Sequence, residues 1–168
     1  RRNRKPEPDK HEGYRVQISA FYMDRYEMTF EDYCEFLNDG NEKYLAGGIL
    51  RDPTGKFVPP KPELAKYPAG GVNYFQALGY ATWVGKRLPT EAEWEFAHGG
   101  PQGRAYPWGN DEPGQTRANF GPSFGGRRPV GSFPEGRTPQ GVFDLGGNIG
   151  EWCADYFDEG YYRNPAPA

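Results

Sequence analysis

The stretch Arg87 to Gly100, Arg-Leu-Pro-Thr-Glu-Ala-Glu-Trp-Glu-Phe-Ala-His-Gly-Gly, holds a complete local instruction for a short helix with defined ends. Pro89 restricts Leu88 to extended geometry, Thr90 offers a hydroxyl to the free amides of a helix start, and Glu93 completes a Thr-x-x-Glu capping box. Glu91 and Glu93 lie where the positive end of the helix dipole favours acids. The spacing predicts a helix from Glu91 that places Trp94 and Ala97 on one side, with Ala92 and Phe96 adjoining, and that stops at Gly99-Gly100. So short a helix needs tertiary packing, and Trp94 is the expected anchor. Capping, the dipole and solvent exposure account for Glu91, Glu93 and Glu95, which carry no accompanying His/Ser or His/Cys pair. The stretch therefore reads as a folding device.

Two further caps organise the chain before it. Thr29 and Asp32 form a Thr-x-x-Asp box ahead of Phe30, Tyr33, Cys34 and Leu37, which follow helical spacing up to Gly40. Asn73, with Gln76 three residues on, caps a helix from Tyr74 to Val84 that is expected to bury Ala77, Leu78, Ala81 and Val84 before Gly85 stops it. From Tyr14 to Tyr22, Tyr14, Val16, Ile18 and Ala20 alternate with Arg15, Gln17 and Ser19, the pattern of a half-buried strand. Pro129 to Pro134 reads as a short edge strand bounded by prolines. Asn41 to Gly71 carries Gly47-Gly48, Asp52-Pro53-Thr54-Gly55, Pro59-Pro60 and Pro68, and is expected to be a long connecting loop. Residues 1–13 read as a flexible lead-in, 14–157 as one domain, and 158–168 as a linker-like end.

Composition narrows the class. With 24 glycines, 17 prolines and 16% aromatic residues, the chain suits an aromatic core threaded by turns, and does not suit a helical bundle. A net charge of −3 gives no electrostatic reason to bind nucleic acid, and no apolar run approaches the ~20 residues of a membrane helix. Two cysteines without Cys-x-x-Cys spacing and two scattered histidines argue against a zinc site. Cys34 falls on an apolar helical stripe, as a small buried side chain does, and the sequence leaves open whether it pairs with Cys153.

Taken together, three motifs carry a family resemblance. Phe21 to Thr29 is similar to the early strand-to-helix motif of the formylglycine-generating enzyme, or sulfatase-modifying factor, family. Trp83 to Trp94 resembles its Trp-x-Gly-Lys-Arg-Leu-Pro-Thr-Glu-Ala-Glu-Trp core, and Gly147 to Trp152 its Gly-Asn-x-Trp-Glu-Trp motif. The resemblance spans residues 14 to 157. It implies an α+β fold: irregular, loop-rich and C-type-lectin-like, with few short helices and short antiparallel strands.

The resemblance also implies calcium, held by the side chains of Asp144 and Glu151 and the carbonyls of Gly147 and Ile149. Hard carboxylate and carbonyl oxygens are what that ion takes. A second calcium begins in some members at the positions of Asn119 and Phe120. Catalytic members oxidise a sulfatase cysteine to formylglycine with oxygen and a copper ion held by two cysteines in a carboxy-terminal segment, and thiolates suit Cu(I). That segment is expected after Ala168, and a glycine-rich opening strand before Arg1. Neither Cys34 nor Cys153 matches a catalytic cysteine, Gly150 stands where the family motif has tryptophan, and Ala81 where some members have a structural cysteine. The expectation is a non-catalytic binding or structural module that contacts a protein or glycan partner outside the cytoplasm, within a larger envelope assembly. The alternative is a copper-dependent formylglycine-generating oxidase.

Overall fold

All three predicted capping boxes close in the computed structural model, which describes residues 16–120 and 125–157. Thr29 Oγ1 accepts from the Asp32 amide at 3.2 Å while Asp32 Oδ2 accepts from the Thr29 amide at 2.9 Å, starting α1, Phe30–Asn38. Asn73 and Gln76 exchange bonds of 3.0 and 2.8 Å ahead of α2, Tyr74–Trp83, with Val84 as its C-cap. Thr90 and Glu93 exchange bonds of 2.9 and 3.2 Å ahead of α3, Glu91–Gly99. The lead-in of residues 1–13 and the end of residues 158–168 lie outside the described residues.

The core forms around α1. Phe30, Tyr33, Cys34, Phe36 and Leu37 are buried along its length against Ala46, Ile49, Phe57 and Ala69. The Phe36 ring lies 5.4 to 5.8 Å from the rings of Tyr33, Tyr44, Tyr80 and Trp83, an aromatic cluster that ties α1 to α2. Backbone bonds from Phe30 to Tyr67, Glu31 to Ala65 and Ala69 to Met28 fasten the start of α1 to the chain before α2. A second buried group, Ala118, Phe133, Phe143 and Leu145, belongs to the other half of the chain.

The region expected as one long loop contains a hairpin. β1, Leu50–Arg51, pairs antiparallel with β2, Phe57–Val58, in the register Leu50 to Val58 and Arg51 to Phe57. Its turn is built by Asp52, whose Oδ1 accepts from the amides of Thr54 and Lys56 and from the Thr54 hydroxyl, with Gly55 at φ 88°. Asn38, at the end of α1, clasps Phe57 with two bonds, Nδ2 to the carbonyl at 2.9 Å and the amide to Oδ1 at 2.8 Å. Short 3-10 turns at Glu42–Tyr44 and Pro62–Leu64 flank this unit.

The strand read from alternation at Tyr14 to Tyr22 and the edge strand expected between Pro129 and Pro134 are not formed among the described residues. Val16 to Asp24 runs without helix, turn or bend but makes no ladder, and Tyr14 and Arg15 lie outside the described residues. Pro129 to Pro134 is a turn leading into a 3-10 segment, Pro134–Gly136, and its Val130 amide bonds the Lys66 carbonyl. Proline removes the amides that a strand there would need. The architecture is nonetheless α+β: among the described residues there are three short helices, a two-stranded antiparallel sheet and much irregular backbone. Among the described residues, no helix is long and apolar enough to cross a membrane.

Burial also departs from expectation within the helices. The most buried residue of α3 is Glu93, 8% exposed, whereas Trp94 is half-buried and Phe96 faces outward. On α2, Ala81 is buried and Ala77 and Val84 half-buried, but Leu78 is exposed. Glu93 is sheltered because Arg87 grips it with bonds of 2.7 and 2.6 Å, which holds its carboxyl down at about 2. Its stabilising contribution is therefore present above the ordinary carboxylate value and is lost as pH falls from about 4.5 towards about 2. Glu93→Ala is expected to destabilise by about 2 kcal/mol at neutral pH, through the lost cap and charge-assisted bonds. In urea unfolding the gap between variant and parent should narrow as pH drops through that window.

Candidate functional site

The loop from Asp144 to Glu151 is shaped by two residues that hold a left-handed backbone without being glycine, Asp144 at φ 63° and Asn148 at φ 71°. Asn148 makes the local geometry pay off, since its side chain joins three distant segments. Its Nδ2 donates to Glu27 Oε2 at 2.6 Å and to the Arg128 carbonyl at 3.2 Å; its Oδ1 accepts from Asn119 Nδ2 at 3.0 Å and from the Arg128 amide at 2.9 Å. Its own amide bonds the Asn119 carbonyl. Gly147 fits beneath that carbonyl, where a Cβ would lie 2.4 Å from the Asn119 oxygen.

Three carboxyl groups converge on this loop. Glu27, 9% exposed, accepts from Asn148 and from the Ile149 amide at 3.2 Å. Burial pushes its carboxyl up to about 8, opposed by the bond from Asn148 and reinforced by the charges of Asp144 and Glu151. Asp144 is pushed up by burial against a 2.7 Å bond from the Gly131 amide. Glu151 faces an open cleft yet is surrounded by protein, and burial together with Asp144 pushes it up against a bond from the Trp94 indole. Trp94 is thus a hydrogen-bond donor to the loop rather than the core anchor of α3.

The cleft beside these groups has a volume of about 790 Å³ and lies between α2, α3, the chain around Phe21 to Met28, and the loop. Leu145 and Ala81 are buried at its base, while Val84, Leu88, Trp94 and Trp152 line its sides. The segment after the loop is stitched to both helices. Trp152 donates to the Val72 carbonyl at 2.8 Å, the Ala154 amide to the Pro89 carbonyl at 2.7 Å, and Asp155 accepts from the first amide of α3 at 2.6 Å. Cys34 and Cys153 are free, neither lines the cleft, and burial pushes each thiol up to about 11.

A family model for the sulfatase-modifying factor enzyme 1-like domain matches residues 3–166. The chain belongs to that family. Over 173 residues it is 38% identical to the serine/threonine-protein kinase pkn1 of Chlamydia caviae, covering 97% of this chain and 27% of that protein. It is 30% identical over 191 residues to the formylglycine-generating enzyme of Mus musculus, covering 85% of this chain and 51% of the enzyme. It is 41% identical over 106 residues to the inactive C-alpha-formylglycine-generating enzyme 2 of Bos taurus, covering 56% of this chain and 35% of that protein. The chain therefore spans from about a quarter to about half the length of these relatives.

Within the sulfatase-modifying factor domain, the oxygens expected to hold calcium can be tested for fit. Asp144 and Glu151 each engage one oxygen with an N–H donor, and the carbonyls of Gly147 and Ile149 accept no hydrogen bond from a described residue. Two desolvated carboxylates and two uncommitted carbonyls are a hard donor set that suits calcium. No group of three or more His, Cys, Asp or Glu side chains that could hold a metal gathers among the described residues, so water would complete a six- to eight-oxygen shell. The Asn119 carbonyl is already taken by Asn148, and residues 121–124, which follow the proposed start of a second site at Asn119 and Phe120, lie outside the described residues. Glu27 escaped the sequence reading because its partners are more than a hundred positions away; only its place in the Phe21 to Thr29 motif marked it.

Proposed function

We propose that this chain is a non-catalytic binding module of the sulfatase-modifying factor family that works outside the cytoplasm, contacts a protein or glycan partner, and carries one structural calcium ion. The observation that supports the reading is the cleft of about 790 Å³, walled by apolar side chains and by Glu27 and Glu151, a surface that suits binding. The likeness to a relative whose name marks it as inactive supports the same reading.

The likeness to the mouse formylglycine-generating enzyme favours a second reading, a copper-dependent oxidase acting on a sulfatase cysteine. The two are separated by incubating the full-length protein that contains this chain with copper, oxygen and a cysteine-containing sulfatase peptide, then trapping any aldehyde with an aminooxy reagent. The binding-module reading expects no aldehyde; its formation would overturn that reading.

In this reading Asp144 and Glu151, with the Gly147 and Ile149 carbonyls, would hold calcium, whose charge offsets the two carboxylates and fixes the loop. Since such an ion binds only the folded state, calcium at a hundredfold excess over its Kd adds about 2.7 kcal/mol. The expected rise in Tm over chelator-treated protein is about 5–10 °C. Glu151→Gln keeps the side-chain shape and should abolish most of that rise. Identical melting of the parent with calcium and with chelator would remove calcium from the assignment.

A further inference from the structure

The loop from Asp144 to Glu151 is oriented by groups outside itself. The Gly131 amide holds Asp144 Oδ2 at 2.7 Å. The Asn148 amide donates to the Asn119 carbonyl, and a trans peptide sets its carbonyl opposite its N–H, so the Gly147 carbonyl points away from Asn119. Both of those outside groups are backbone. Glu151 is held by a side chain, the Trp94 indole, which donates from Nε1 to Oε2, while Oε1 accepts from no described residue.

Trp94 is itself fixed. Its amide donates to the Thr90 carbonyl at 2.9 Å, within the first turn of α3, which Thr90 and Glu93 cap and Arg87 braces. Its ring stacks on His98, four positions on, with centroids 5.3 Å apart and planes 24° apart. The same end of α3 holds two residues beyond Glu151. The Pro89 carbonyl takes the Ala154 amide at 2.7 Å, and the Glu91 amide reaches Asp155 at 2.6 Å. Of these bonds, the one from Trp94 ends on an expected calcium ligand.

We propose that Trp94 is a positioning residue for calcium: its indole N–H sets the Glu151 carboxylate with Oε1 free for the ion, and so couples the loop to α3. A partner of this kind orients a ligand before the ion arrives, and removing it costs roughly 10- to 100-fold in metal affinity. Without the indole N–H, Glu151 turns freely about its side-chain bonds and binding must order it. Glu27 also reaches the loop, but its removal would strand Asn148 and the Ile149 amide together, whereas the Trp94 indole makes one bond. The inference rests on the calcium assignment above and extends it to a residue that is not a ligand.

The test titrates calcium into the full-length protein that contains this chain, by calorimetry, with Glu151→Gln identifying the binding step that belongs to this site. Two variants remove the donor: Trp94→Phe, and replacement of Trp94 by benzothienylalanine, which keeps both rings and puts sulfur in place of the N–H. Each should raise the Kd of that step at least about tenfold. With calcium about a hundredfold above the parent Kd, the rise in Tm over chelator-treated protein should then roughly halve. Phe96→Ala is the control, since it loosens α3 at its contact with Phe21 without touching the indole, and it should leave Kd unchanged. In a proton–nitrogen correlation spectrum the Trp94 indole signal, assigned by its loss in Trp94→Phe, should move when calcium binds. A merely structural Trp94 would lower Tm equally in calcium and in chelator and leave Kd as in the parent. That result, an indole signal that ignores calcium, or a Kd raised as much by Phe96→Ala would overturn the proposal. A parent with no Glu151-dependent calcium step overturns the calcium assignment and this proposal with it, an outcome read from the parent before any Trp94 variant is made.

Discussion

Gly136→Ala is expected to destabilise the protein by at least about 4 kcal/mol, enough to leave little folded chain at 37 °C. A Cβ at Gly136 would lie 1.6 Å from the Arg117 carbonyl oxygen, 2.7 Å from its carbon and 3.3 Å from its Cα. All three are backbone atoms, so no side chain can swing aside. The backbone on both sides is fixed as well. The Gly136 amide bonds the Phe133 carbonyl, the Arg117 amide bonds that of Gly114, and Ala118, Phe133 and Thr138 are buried around the contact. Gly136 has no positive φ, so the penalty is purely one of close approach. Gly114→Ala is the control: it shares the ordinary φ, and its Cβ would meet nothing within 4 Å. Chemical denaturation of the two variants should separate them by several kcal/mol, and equal stability would refute the packing of residues 114–119 on residues 133–138.

Phe36→Ala carries the second large effect, a loss of about 4 kcal/mol. Phe36 is fully buried and is the ring that Tyr33, Tyr44, Tyr80 and Trp83 share. Removing it leaves a cavity walled by four rigid rings that cannot collapse without breaking their own bonds, among them Tyr33 hydroxyl to Tyr44 carbonyl at 2.5 Å and Trp83 indole to Asp39 at 2.7 Å. Phe36→Leu keeps most of the volume and should cost roughly 1–2 kcal/mol. Thermal unfolding that ranks alanine below leucine below the parent would establish the cluster as the seat of stability. A loss under 1 kcal/mol for alanine would contradict it.

What the sequence made legible was local. The three helices were readable because each cap and its partner lie three residues apart, and the Asp144 to Glu151 loop because its residues are contiguous. The hairpin at Leu50 to Val58 was obscured because Asp52-Pro53-Thr54-Gly55 reads first as an interruption, although short apolar pairs on both sides of such a turn are themselves a hairpin signal. Val16 to Asp24 shows the reverse error, since alternation reports a half-buried face and says nothing about whether a neighbouring strand is present. On α3, a capping glutamate is normally solvated; Glu93 is buried only because Arg87, six positions earlier, folds back onto it. The roles of Glu27 and of the Trp94 indole depend on contacts across 57 to 122 positions, for which a single sequence has no short-range signature.

Asn148 has a consequence for how the protein opens. One amide side chain and its backbone hold Glu27, Asn119 and Arg128 to the loop, while the aromatic core around Phe36 makes no use of it. These segments cannot be released one at a time without stranding a buried carboxyl or amide. They are expected to behave as one cooperative unit, distinct from α1 and its hairpin, with amides that share a single opening event in hydrogen exchange. The domain thus has two seams of different character, an aromatic one around Phe36 and one in which a polar network joins the smaller apolar group of Ala118, Phe133, Phe143 and Leu145.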